Sequence, residues 1–77
     1  MENNGLVVRV AGVVIDIAFP SGDLPAIHDA VFIQRNDQED LVAEVQEHVD
    51  PYTVRTIAMS STDGLRRGLQ VIDRSFL

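Results

Sequence analysis

Cysteine is absent from the 77 residues, and so are lysine and tryptophan. Without cysteine there is no disulfide framework and no thiolate-based zinc or iron–sulfur site. Without lysine there is no Gly-x-x-x-x-Gly-Lys-Ser/Thr loop, so this segment does not cradle a nucleoside triphosphate in a P-loop. The only aromatics are Phe19, Phe32, Tyr52 and Phe76, too few for a platform on which bases could stack. No apolar run approaches the roughly 20 residues of a membrane span. Residues Met1 to Gly5 carry no basic stretch ahead of an apolar one, so the chain reads as soluble and intracellular, with no signal or transit peptide.

Charge is one-sided. Twelve acidic residues against six arginines leave a formal net charge of -6. Phosphate backbones and anionic lipid repel such a chain, so neither nucleic acid nor direct membrane contact is expected. The length suffices for one domain, residues 1–77. A domain of this size buries only roughly 60% of the surface of its unfolded chain, so its core must be efficient or a partner must help.

What the chain has in plenty is β-branched residues at a period of two. Leu6–Val10 reads as a first strand, with Leu6, Val8 and Val10 on one face. Gly12 sits where a bulge or corner bends it into Val13–Phe19, whose residues Val13, Ile15, Ile17 and Phe19 share a face. Pro20 to Pro25 is a turn cluster, and Ala30–Gln34 a third strand. Arg35–Glu39 is a polar hairpin loop. Asp40–Val49 is the longest strand, with Leu41, Ala43 and Val45 inward and Val42, Glu44, Gln46 and His48 outward. After the turn Asp50–Tyr52 come Thr53–Met59 and a short Leu69–Ile72. The intervening Ser60–Gly68 predicts turns with one helical turn. The fold class is all-β: six short strands at near-regular spacing predict a closed six-stranded antiparallel barrel. Its core candidates are Val8, Ile15, Ile17, Ile33, Val45 and Ile57, with the face of the fifth strand left open.

No catalytic constellation stands out. His28 and His48 invite a metal reading, with His48 on the face of Glu44, but residues spaced two apart along a strand do not converge on one ion. Ser60, Ser61 and Thr62 beside Asp63 lack a local histidine to act as base, and such residues ordinarily close turns. No two carboxylates are placed by the sequence in an apolar pocket, as paired acid–base work requires. The expected catalytic, cofactor and metal residues are therefore none.

Several segments in order resemble the start of the F-type ATP synthase beta subunit. Val13-Val14-Ile15-Asp16-Ile17-Ala18-Phe19 is similar to the family's Val-Val-Asp-Val-x-Phe strand. Leu24-Pro25-Ala26-Ile27-His28-Asp29-Ala30 resembles Leu-Pro-x-Ile-x-x-Ala, and Glu44-Val45-Gln46-Glu47-His48 resembles Glu-Val-x-x-His. Val54-Arg55-Thr56-Ile57-Ala58-Met59 with Thr62-Asp63-Gly64-Leu65-Arg66-Arg67-Gly68 resembles Val-Arg-Thr-Ile-Ala-Met and Thr-Asp-Gly-Leu-x-Arg-Gly. Three positions depart from the pattern: Val13 for a frequent proline, Ser60 for a frequent acid, and Arg74–Leu77 for an Asp-Thr-Gly continuation.

The resemblance implies the N-terminal six-stranded barrel of a beta subunit, whose nucleotide-binding domain follows elsewhere. It implies an assembly role, with alpha subunits as partners in an alternating hexameric ring. The parent would bind ATP or ADP with Mg and couple to proton or sodium transport, in a peripheral complex at the cytoplasmic face of a bacterial plasma membrane. Arg9 and Arg55 are the expected interface anchors, because arginine pairs bidentately with a neighbour's carboxylate. The alternative is a stand-alone β-barrel protein-binding module with no catalytic activity.

Overall fold

The computed structural model describes residues 2–74; Met1 and Ser75–Leu77, including Phe76 and most of the divergent tail, lie outside the described residues. Six strands, β1 (Asn3–Ala11), β2 (Val14–Ala18), β3 (Ala30–Ile33), β4 (Leu41–Asp50), β5 (Thr53–Ala58) and β6 (Gln70–Asp73), close in the order β1-β2-β5-β4-β3-β6. Every neighbouring pair is antiparallel, as the all-β barrel reading expected. Closure leaves no free sheet edge in a chain rich in valine and isoleucine.

Directly paired residues point to the same side of the sheet, so the register converts into rows that cross the barrel. One inward row runs Val10, Ile15, Thr56, Val45 across β1, β2, β5 and β4. A second row on the same strands runs inward through Val7, Ile17 and Val54 and ends at His48, which is exposed at the rim. Leu41, Ile33, Val71 and Gly5 continue the interior around the other side. Phe19 lies over Gly5, where any side chain would meet its ring, and is itself fully buried. Apolar side chains thus make up most of the interior; besides Asp73 at the end of β6, the fully buried residue with a polar side chain is Thr56. Its hydroxyl donates to the Ile15 carbonyl at 2.8 Å, so nothing polar is stranded there.

The structure corrects several sequence expectations, each for a physical reason. Val8 is not in the core: a β-bulge between Val7 and Arg9 makes Val8 an extra residue, and Val7 fills the interior instead. Ile57 faces outward; Val54 and Thr56 are the inward residues of β5. Gly12 does bend the first strand into the second, by a tight turn and not by a bulge. It occupies, with φ of 62°, the first turn position of a tight hairpin in which Ala11 pairs with Val14. Val13 therefore lies in the turn and is exposed. A second bulge, between Val45 and Glu47, moves His48 to the face opposite Glu44, at the rim of the interior. Ser60–Gly68 contains turns and bends and no helical turn.

Candidate functional site

The core cluster is apolar, and a row of charged side chains lies on the outside of the barrel. The outward row between the two inward ones is Arg9, Asp16, Arg55 and Glu47, one residue from each of β1, β2, β5 and β4. Its charges alternate in sign from strand to strand. Asp16 is the anchor. It stands between Ile15 and Ile17, and its side chain is only 8% exposed. A carboxylate so desolvated needs strong partners to remain charged.

Arg55 supplies them in a bidentate fork: Nε donates to Oδ1 at 2.9 Å and Nη2 to Oδ2 at 3.1 Å. The hydrogen bond to Asp16 holds the Arg55 guanidinium still higher in pKa than an ordinary arginine. Arg9 approaches the same Oδ2 only to 3.8 Å and stays 61% exposed. Glu47 lies 3.9 Å from Arg55 Nη1, an exposed and loose contact. Arg9 and Arg55, the two expected anchors, are thus brought together around one carboxylate. Asp16 was missed as their centre, although an aspartate flanked by isoleucines on a barrel strand signals a buried charge in need of a cation.

Apolar side chains border this row. Leu6 and Val8 on β1, and Ile57 with Met59 at the far end of β5, are exposed. On the other side of the barrel Phe32 pairs with Ile72, and Arg74 lies over the Phe32 ring at 4.8 Å while contacting Glu2 at 3.5 Å.

The two histidines work as staples for the loop between β2 and β3. His28 lies in that loop at φ 77°, the third position of a turn closed by Asp29 N–H to the Ala26 carbonyl at 3.0 Å. Its Nδ1–H donates to Glu44 on β4 at 3.1 Å, which, with help from Gln46, lowers the Glu44 pKa below 4.5. His48 on β4 donates Nε2–H to the Pro25 carbonyl at 2.7 Å. Among the described residues no group of three or more histidine, aspartate or glutamate side chains is placed to hold a metal ion.

The serine cluster is built into a loop clamp. Ser61 Oγ accepts the Asp63 amide at 3.3 Å, while Arg35 donates to the carbonyls of Ser61 and Asp63 at 3.2 and 3.0 Å and to that of Glu39 at 3.0 Å. Those contacts tie the β3–β4 and β5–β6 loops together at one end of the barrel.

The chain is 52% identical over 70 residues to ATP synthase subunit beta 3 of Paraburkholderia xenovorans (strain LB400), a match covering 91% of this chain and 14% of that protein. It therefore spans about a seventh of the length of the relative, and the relative's name agrees with the beta-subunit resemblance of the motifs. Residues 7–74 match the beta-barrel domain of the ATP synthase alpha/beta family, over the same six strands that close the barrel, and the chain belongs to that family.

Proposed function

We propose that this barrel is the assembly domain of the catalytic beta subunit of an F-type ATP synthase. In this reading it meets alpha-subunit barrels on either side of an alternating ring. The observation that carries the reading is the family match across residues 7–74, in a barrel with an apolar core cluster and an outer face that mixes charged and exposed apolar side chains. An outer face with charged and apolar side chains can bind a neighbour. Turnover then belongs to the nucleotide-binding part of the parent, with ATP or ADP and Mg, coupled to movement of protons or sodium ions. The parent complex would sit peripherally at the cytoplasmic face of a bacterial plasma membrane.

The test is the size and company of the native product. An antibody raised against this domain is used to blot source-cell extract on denaturing and native gels. The expected result is a denatured band several times the mass of the 77-residue chain, migrating natively in a large complex with ATPase activity. A band at the mass of the chain itself, outside any such complex, would support the stand-alone binding module instead.

A further inference from the structure

On β1 the residues Asn3, Gly5 and Val7 are buried and Leu6 and Val8 are exposed. Continued without interruption, that alternation would turn Arg9 toward the core. The bulge prevents it. Val7 pairs with Ile17 and Arg9 with Asp16, so Val8 is the extra residue and the parity of the strand reverses after it. Arg9 is thereby turned outward beside Val8 and Leu6, with Val10 returning to the core side. Bulges are over-represented at sheet edges, at barrel rims and beside active sites, where they re-aim a side chain.

Arg9 and Arg55 differ in what they have left to offer. Both oxygens of Asp16 already accept short hydrogen bonds from Arg55. The 3.8 Å approach of Arg9 to Oδ2 is too long for a hydrogen bond, and its guanidinium is directed to solvent. Arg55 is committed to Asp16 on the outer face; Arg9 beside it is the more exposed of the two.

We infer that the bulge-presented trio Leu6, Val8 and Arg9 is the docking spot for a carboxylate-bearing segment of the adjoining subunit's barrel, and that Arg55, committed to Asp16, is not part of that spot. The inference rests on the assembly reading proposed above. Charge complementarity selects the occupant: a guanidinium with open donors beside two exposed aliphatic side chains fits an acidic residue flanked by an apolar one.

The test uses the full 77-residue chain and purified alpha subunit from the same source, with affinity measured by calorimetry at low and high salt. Arg9→Glu is expected to weaken binding by about tenfold or more, because it sets like charges against each other at a desolvating contact. Its thermal midpoint should fall, because a carboxylate at this position would face Asp16 across the strand pair, so affinities are compared well below it. Arg9→Ala should flatten the salt dependence of the dissociation constant, a change that a purely structural role would not produce. Arg55→Ala should lower the thermal midpoint and, well below it, leave affinity within about twofold. Unchanged affinity in Arg9→Glu, or equal losses in Arg9→Glu and Arg55→Ala, would overturn the assignment while leaving the assembly reading intact. No binding by the unaltered chain would remove the assembly reading and this inference together.

Discussion

At the scale of single residues, two interior positions show how narrowly the core is specified. Gly5 faces inward, paired with Val71, and a Cβ there would lie 2.8 Å from both the Ala18 carbonyl oxygen and the Phe19 ring. The ring could turn aside only by leaving the space it fills, and the carbonyl belongs to the neighbouring strand. Gly5→Ala should therefore cost about 2 kcal/mol through overpacking, read from the urea midpoint. A loss under about 0.5 kcal/mol would show that the β1–β2 pair yields more easily than close packing implies. Thr56 is the second position. Replacing its hydroxyl with a methyl in Thr56→Val removes the donor to the Ile15 carbonyl and should cost about 1 kcal/mol. An unchanged or raised midpoint would mean that the bond contributes nothing net over apolar packing.

At the scale of strands, legibility depended on whether the period of two continued unbroken. The inward residues Leu41, Ala43 and Val45 of β4, and Ile15, Ile17 and Phe19 beginning in β2, were readable because no bulge interrupts them. Val8 and His48 were misplaced because each lies at or just beyond a bulge, which reverses the face of everything after it. A bulge depends on the partner strand's register, and one strand's composition does not carry that information. The face of β5 was ambiguous for another reason: Thr53-Val54-Arg55-Thr56-Ile57 puts a threonine and a branched aliphatic on both sides. Only the Asp16 partner decides it, by drawing Arg55 outward. Of the outer row, the arginines could be named from sequence, but their convergence on Asp16 requires the β1-β2-β5 order.

The loop before β3 carries a pH signature at the same scale. His28 donates to Glu44, and chiefly through that bond the Glu44 pKa in the folded chain lies below 4.5. A carboxylate with a depressed folded pKa stabilises the fold above its unfolded value, and loses that contribution as pH falls through the folded one. Comparing urea midpoints of the parent chain and Glu44→Gln, the parent's advantage should be present at about pH 6 and shrink as pH falls below the ordinary carboxylate range. A difference that stays constant over this range would mean that Glu44 acts through packing and not through its charge.

At the scale of the whole molecule, the barrel depends on its last strand. The four residues of β6 pair with β1 on one side and with β3 on the other, closing a sheet that otherwise has two open edges. They also supply Val71 to the interior, between Gly5 and Ile33. A domain this small has little burial to spare, so loss of closure acts twice, by opening the core and by exposing unpaired strand edges. A chain ending after Gly68 should therefore lose its cooperative thermal transition and associate into β-rich aggregates, seen by calorimetry and size-exclusion chromatography. Supplying Leu69 to Arg74 as a separate peptide should restore part of the monomeric fraction, because the edges of β1 and β3 would again have a partner. A truncated chain that stayed monomeric, with a transition like that of the intact one, would show that β1, β2, β5, β4 and β3 hold their arrangement without closure. The core would then carry most of the stability by itself, with closure by β6 adding little to it.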